Sequence, residues 1–481
     1  MENLLYKRNY NHTDRKSILA YSRNLLHRTL QEAVSIIDPA ICREMLTTAG
    51  KGELGQLVEK YFFGYQPNND PNPDFKEAGV ELKTTPLKEL QNGDLTIKER
   101  LVCDMIDYCQ VVNVPFEQSA FYRKSILMLI LFYLHVKGKA SCDLKFIYSV
   151  LWQIKDKDLA IIRQDYNIII SKIKEGKAHE LSEGDTMYLG ACRKGQKGDS
   201  LRKQPFSDCG APRRAFSLKT AYMRTVLDFV KNYGSDTATN TDVEILEPQL
   251  VSITELEHKT FEQILTERFA PFIGMDYRQI GRKLKQPINP LEKSKYATAA
   301  KRIMLKGLRE FNDAEEIAKA GIICKTIRVD ANGTIRESMS FENINYEEVY
   351  NNAEWTESRW YEIATSKFMF IIYREAEQPS RGWKEEKRYV LDSLKFWTMP
   401  PDDLKLAEEY WENIRKNVLN DTLDNDSNTF WRLKDHKCFH VRPKAQTSAD
   451  KYFSPVSGVE VPKKAYWFNG EYVAQILKDL N

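Results

Sequence analysis

The sequence predicts an α/β protein built as two tandem copies of one domain. Three observations carry this reading. Amphipathic stretches of helical period alternate with short apolar runs of strand type; the two halves share collinear matches; and 481 residues exceed what one hydrophobic core organises. With 42% hydrophobic, 29% charged and 11% aromatic residues the chain reads as globular rather than disordered or membrane-spanning. A net charge of +3 is nearly balanced, so affinity for a polyanion must come from local basic patches.

Taken in order, residues 13–46 carry apolar points at helical spacing (Ile18, Leu25, Leu26, Leu30, Val34, Ile37) and predict one or two helices covering a core. Leu54, Leu57, Val58, Tyr61 and Phe62 then follow the i, i+3, i+4, i+7, i+8 rule of an amphipathic helix ending at Gly64. Glu59 sits at the edge of that stripe, a position that by itself predicts a solvated flank. After the turn-rich 66–73, the stretch 74–83 predicts a strand with Val80 and Leu82 on one face and Glu81 and Lys83 on the other. Thr84-Thr-Pro-Leu87 is expected to end it, and Gln91-Asn-Gly-Asp94 to make a turn. Residues 98–108 and 125–136 are expected to extend the sheet. The pattern Leu159, Ile162, Tyr166, Ile169, Ile170, Ile173 predicts a long helix packed on it.

The chemistry concentrates at Asp74, Glu81 and Lys83. Two carboxylates brought together suit a hard cation such as Mg²⁺, and a neighbouring ammonium suits the phosphate it would polarise, so the stretch predicts a metal-dependent nuclease site. A dense basic run follows. Arg193, Lys194, Lys197, Arg202, Lys203, Arg213, Arg214, Lys219 and Arg224 stand against Asp199 and Asp208, interleaved with Phe206, Phe216 and Tyr222. Such a stretch fits phosphate and base-edge contacts to double-stranded DNA, with Arg213 and Arg214 the favoured readers. His179 beside Glu180 is read as structural. Residues 234–256, polar and poor in aromatics, read as a linker between a catalytic domain at 1–233 and a second domain at 257–481.

The second half repeats the first with its chemistry removed. Glu77-Ala-Gly-Val-Glu-Leu-Lys-Thr84 recurs as Lys319-Ala-Gly-Ile-Ile-Cys-Lys-Thr326, and the run from Ser125 recurs from Ser366. Leu144-Lys-Phe146 recurs as Leu394-Lys-Phe396, Asp158-Leu159 as Asp403-Leu404, and Arg213 through Tyr222 as Lys463 through Tyr472. Asp74, Glu81 and Lys83 become Glu316, Ile323 and Lys325, and Glu59 becomes Lys301 or Arg302. Isoleucine cannot supply the oxygen ligands Mg²⁺ requires at roughly 2.0–2.1 Å, so the second copy is expected to be catalytically dead. It keeps Arg442, Lys444, Lys451, Lys463 and Lys464 and is expected to bind DNA still. The start Met1-Glu-Asn-Leu-Leu-Tyr-Lys shows no signal peptide, and the apolar run 126–136 is too short to span a bilayer, which needs roughly 20 residues. Eight scattered cysteines without a C-x-x-C pair fit a reduced, cytoplasmic protein without structural zinc.

Lys51-Gly-Glu-Leu-Gly-Gln-Leu-Val-Glu59, Asp74-Phe, Gly79-Val-Glu-Leu-Lys-Thr84, Tyr188-Leu-Gly-Ala-Cys192 and Arg214-Ala-Phe-Ser-Leu-Lys219 together resemble the MutH-type endonucleases. Within them they resemble the GATC-cutting restriction enzymes of the Sau-three-A type, over nearly the full chain. The resemblance implies two tandem restriction-endonuclease-like domains, each a mixed β-sheet flanked by helices, with Mg²⁺-dependent cleavage of duplex DNA at 5′-GATC. It carries the active-site pattern onto Glu59, Asp74, Glu81 and Lys83, leaves the family's further lysine unassigned, and makes the second domain an effector that binds another site. It also implies a companion methyltransferase and pairing of two chains on DNA. The alternatives are a mismatch-repair nickase and a DNA-binding regulator without catalysis.

Overall fold

A four-stranded mixed sheet of order β2-β1-β4-β5 centres the first half of the computed structural model, with β1 at Glu81–Glu89, β2 at Leu95–Ile97, β4 at Leu127–Leu134 and β5 at Lys145–Gln153. The structure describes residues 8–48, 54–67, 70–90, 92–195, 199–234, 250–305, 310–335, 337–376, 387–424, 427–445, 447 and 449–480. β4 runs parallel to β1 and antiparallel to β5, and its first six residues are buried. A strand covered on both faces reads as a continuous apolar run, which is why Leu127-Met-Leu-Ile-Leu-Phe132 lacks alternation. Helices Arg15–Ser22, Leu30–Ile37 and Pro39–Thr48 cover one face through a core that includes Ile18, Leu30 and Val34 with Leu82, Leu129 and Leu131.

Two expectations change here. β1 does not stop at Thr84-Thr-Pro-Leu87 but continues through Pro86 to Glu89. The Pro86 carbonyl accepts from Lys98 N (3.0 Å), so its nitrogen faces the end of the short β2 ladder rather than β4, where a donor would be required. Residues 98–108 do not extend this sheet either: β3 (Leu101–Met105) joins a second one of order β3-β9-β6, with β6 at Leu189–Arg193 and β9 at Arg214–Leu218. The partner of β3 there is the distant β9, a pairing that the apolar content of 98–108 does not encode. The helix Asp156–Lys174 supports this second sheet, since Asp165, fully buried on it, accepts the N–H groups of Met187, Tyr188 and Leu189 at 2.7–2.9 Å. A two-stranded hairpin, β7 (Arg202–Gln204) with β8 (Ser207–Ala211), completes the set, so the basic stretch 183–224 is folded into strands rather than loop-rich.

The second half repeats this plan. β10 (Ile323–Val329), β12 (Lys367–Glu375) and β13 (Tyr389–Thr398) reproduce the parallel-antiparallel arrangement of β1, β4 and β5; β11 (Met339–Asn343), β17 (Lys464–Phe468) and β14 (Phe439–Pro443) reproduce β3, β9 and β6; β15 (Lys451–Phe453) and β16 (Glu460–Pro462) form the hairpin. Individual bonds recur. Tyr222 Oη donates to Asp158 (3.0 Å) and Tyr472 Oη to Asp403 (2.7 Å); Tyr108 Oη donates to the Pro212 carbonyl (2.5 Å) and Tyr346 Oη to that of Pro462 (2.8 Å). Two of the internal matches shift: Met128 corresponds to Phe368, one residue off the match of Ser125 with Ser366, and Trp152 corresponds to Trp397, so Leu144-Lys-Phe146 does not correspond to Leu394-Lys-Phe396.

Packing divides the chain into two compact units, one of Met1–Leu181, Asp185–Glu247 and Ala318–Ala320, the other of Ser182–Gly184, Pro248–Ile317 and Gly321–Asn481. Of the stretch 234–256 read as linker, residues 235–249 lie outside the described residues, while 250–256 are ordered. Glu316, fully buried, accepts the N–H groups of Leu250 (3.0 Å) and Val251 (3.2 Å), and Ser252 caps the helix Ile253–His258. All eight cysteines are free. Among the described residues no helix is long and apolar enough to cross a membrane.

Candidate active site

β1 begins at Glu81, and the residues around that point converge. Phe75 pairs with Val80 in an isolated antiparallel bridge that sets Asp74 beside the strand. Asp74 N donates to Glu81 Oε2 (3.2 Å), and Asp74 Oδ2 accepts from Leu82 N (2.9 Å). Lys83 lies on the same face as Glu81 and donates to its Oε1 at 2.7 Å. Glu81 is 3% exposed and Lys83 18%. Their neighbours Val80 and Leu82 are buried in the core behind them.

Glu59 joins from the helix that begins at Leu54. Its first turn is α-helical, but Val58–Phe63 widens into a π-helical turn that ends at Gly64 (φ 87°). A π turn leaves carbonyls without their usual intrahelical donors. Here side chains from the N-terminal segment take them: Arg8 donates to Phe62 O (2.7 Å) and Tyr61 O (2.9 Å), Tyr10 Oη to Phe63 O (2.9 Å), and Tyr21 Oη to Phe62 O (3.3 Å). Glu59 is therefore held inward and is not the solvated flank that its place on the stripe suggests.

The electrostatics are those of acids crowded together out of water. Burial first, and Asp74 second, push the Glu59 carboxyl up to about 7. Asp74 is pushed up to about 6 by burial and by Glu81. Burial pulls the Lys83 ammonium down, but Glu81, Cys103 and Asp74 together outweigh it and leave Lys83 above its ordinary value. The Tyr65 hydroxyl is buried without a hydrogen-bond partner, and burial and then Asp74 hold it far above the ordinary phenol value.

One further lysine belongs to this group. Lys124 Nζ stands 3.9 Å from Glu81 Oε1, 15% exposed, and its charge is felt by Glu59, Asp74 and Asp104. It lies in the helix Ala120–Ser125, capped by Ser119, directly before β4, so the parallel pairing of β4 with β1 delivers it to the site. No spacing in the sequence links residue 124 to residue 81. The signal that finds it is the repeat: the equivalent helix Arg359–Ala364, capped by Ser358, places Ile363 where the first unit has Lys124. Lys124→Met is expected to lower kcat on the order of 10²-fold with little change in KM, and Lys124→Arg to recover part of it. Equal loss in both variants together with a lowered melting temperature would assign Lys124 to folding instead.

The second unit lacks this constellation. Ile323 stands opposite Phe368 as Glu81 stands opposite Met128, Lys325 donates to Ser340 O (2.6 Å), and Glu316 serves the backbone of Leu250 and Val251. Among the described residues no cluster of three or more His, Cys, Asp or Glu side chains stands ready for a metal. Mg²⁺ does not demand one: it keeps several waters and is typically held by one or two carboxylates and substrate phosphate. Asp74 and Glu81, mutually repelling in a half-buried place, fit that mode.

The basic residues separate on burial. Arg193, Arg202 and Arg213 are exposed, Lys194 half-buried, and Lys197 lies outside the described residues. Arg214 and Lys219 depart from the reading as DNA contacts. Arg214 is buried and donates to Ala191 O (2.7 Å), and Lys219 is buried and donates to Thr186 O (2.5 Å). Arg214 opens β9, whose residues are all buried, while Arg213, just before the strand, is exposed. In the second unit Arg442 and Lys444 are exposed, with Lys444 donating to Phe341 O (2.5 Å), whereas Lys464 is buried on Leu423 O and Lys463 is ion-paired with Asp450. His179, as expected, is structural, with its ring held by Gln204 (3.1 Å).

A doubled mixed α/β fold with two carboxylates and two lysines around the start of one strand defines a DNA-cutting nuclease with a MutH-like domain. Residues 63–165 match the family model described as DNA mismatch repair enzyme MutH, a span that includes Asp74, Glu81, Lys83 and Lys124. The DNA mismatch repair protein MutH of Shewanella amazonensis is 28% identical over 184 residues, 37% of this chain and 78% of its own length. That of Shewanella sp. strain W3-18-1 is 28% identical over 187 residues, 37% and 79%. The type II restriction enzyme Sau3AI of Staphylococcus aureus is 33% identical over 477 residues, covering 89% of this chain and 93% of its own. The chain belongs to the type II restriction endonuclease family of Sau3AI.

Proposed function

We propose that the protein is a Mg²⁺-dependent endonuclease that hydrolyses duplex DNA at 5′-GATC, with the second unit binding another copy of the site as an effector. One observation carries the catalytic half: Glu59, Asp74, Glu81, Lys83 and Lys124 meet in the first unit, while Ile323 and Ile363 stand in for Glu81 and Lys124 in the second. Asp74 and Glu81 hold the Mg²⁺, which when bound supplies Lewis-acid stabilisation to the scissile phosphate. Lys83, fixed by Glu81, orients the attacking water and faces the charge that grows on the phosphate. Lys124 adds a second positive charge there. Glu59, raised to about 7 and so divided between its two protonation states at neutral pH, would pass a proton to or from that water. Arg193, Lys194, Arg202 and Arg213 supply phosphate and groove contacts in the first unit, and Arg442 and Lys444 in the second.

With one such site per chain, cutting both strands takes two chains on the palindrome or two successive nicks. A restriction role also calls for a methyltransferase that protects the host sequence. The match to MutH over 63–165 favours a second reading, a strand-nicking repair enzyme. A supercoiled plasmid bearing GATC sites, incubated with and without Mg²⁺, separates the readings. Linear product with Mg²⁺ alone supports restriction, arrest at the nicked circle supports repair, and absence of any cutting overturns the nuclease assignment. Added GATC oligonucleotide is expected to raise cutting of a single-site plasmid several-fold, and an unchanged rate removes the effector role.

A further inference from the structure

Phe206 is an exposed aromatic residue at positive φ that the catalytic site does not explain. The register of β7 with β8 pairs Gln204 with Ser207, leaving Pro205 and Phe206 as a two-residue turn. Phe206 lies at φ 64°, and proline followed by a residue at positive φ is the arrangement of a type II turn, whose second central position ordinarily takes glycine or asparagine. A bulky residue there is an outlier. It gains nothing from the fold in return, because its side chain is 72% exposed. The turn is nevertheless firmly held. Gly176 packs so closely beneath it that a Cβ would lie 2.5 Å from Phe206 O, and buried Gln204 accepts from Ala178 N (2.8 Å) and donates to Cys209 O (2.6 Å).

The second unit builds its hairpin without that strain. Val456 follows Pro455 as Phe206 follows Pro205, but there Gly458 takes the left-handed position, at φ 71°. Phe453 and Val459 are again exposed, at 68% and 61%. The surroundings of Phe206 state what would cover it. Exposed Arg202 and Lys203 precede it on β7, against Asp208 on β8. An apolar ring at the end of a strand that carries two exposed cations suits a base step with its phosphates beside it.

We propose that Phe206 is a DNA wedge: the clamped β7–β8 turn drives its ring against or between base pairs next to the cut site, while Arg202 and Lys203 hold the adjoining phosphates. This rests on the nuclease reading above and adds to it a residue that deforms the duplex. Strain held by neighbours at an exposed position is a recurrent mark of such sites.

The test uses the full chain in a Glu81→Gln background, which leaves the strand uncut, and duplexes with one GATC site carrying 2-aminopurine at successive positions. Binding is expected to raise the fluorescence several-fold at one step. Phe206→Asn keeps the left-handed backbone and is expected to abolish that rise, weaken duplex binding on the order of tenfold, and leave the melting temperature unchanged or higher. Phe206→Trp is expected to retain the signal. Equal affinity and equal fluorescence for Phe206→Asn overturn the wedge alone, as does a loss of self-association in that variant with DNA binding intact, which would assign the ring to a second copy of the chain. A wild-type chain that neither binds nor cuts the duplex removes the nuclease reading and the wedge together.

Discussion

Glu81→Gln is expected to reduce DNA cleavage by on the order of 10³-fold or more while leaving duplex affinity within about threefold, the scale set by several kcal/mol of metal-borne transition-state stabilisation. Glutamine is chosen because Glu81 is 3% exposed and accepts from Lys83, so alanine would strand a half-buried ammonium. The amide oxygen can keep one of the two bonds, that from Lys83 or that from Asp74 N, and the exchange removes the charge that makes Asp74 and Glu81 a cation site. Single-turnover cleavage and filter binding, read together, decide the matter. Cleavage within tenfold of wild type would show that the carboxylate pair is not the metal site. The reverse exchange, Ile323→Glu in the second unit, is expected to confer no activity, since Ile363 still stands where Lys124 is needed.

The second large effect is a dependence of stability on Mg²⁺ that appears only above neutral pH. Asp74 ordinarily titrates near 3.8 and Glu59 near 4.5, and the fold raises them to about 6 and about 7. A carboxyl whose value is raised by folding binds more protons in the native state than in the unfolded one between those limits. Metal-free stability therefore falls as pH rises from about 4 to about 7, by a few kcal/mol at most given the mutual coupling of the pair. Mg²⁺ offsets that repulsion where the acids are ionised and competes with their protons where they are not. Added Mg²⁺ should raise the melting temperature by on the order of 5 °C at pH 8 and by almost nothing at pH 5. Glu81→Gln should remove the difference. An Mg²⁺ increment that is the same at both pH values would contradict the site.

Much of this was legible in the residues because it depends on period and on duplication. The two-residue period of Val80 to Lys83 separates a core face from a chemical face in any extended segment, and the structure keeps it. The repeat carries its own check, since each half reproduces the Tyr-Asp bond of Tyr222 with Asp158 and Tyr472 with Asp403. What failed did so for local reasons. β3 joined another sheet by pairing with the distant β9, and Pro86 stayed in its strand because its nitrogen met no partner that needed a donor. Arg214 and Lys219 look like DNA contacts in a basic run, but both are buried and donate to backbone carbonyls, those of Ala191 and Thr186.

The sequence by itself determined that the chain is a doubled α/β protein and that Asp74, Glu81 and Lys83 share one strand entry, because repeats and alternation are one-dimensional signals. The tertiary structure added Lys124 to that group and showed how Glu59, which only the family resemblance had placed there, reaches it. Lys124 arrives through the parallel pairing of β4 with β1, and Glu59 through a π turn held by Arg8, Tyr10 and Tyr21. Both depend on contacts between residues far apart in the chain, and no spacing along it encodes such contacts.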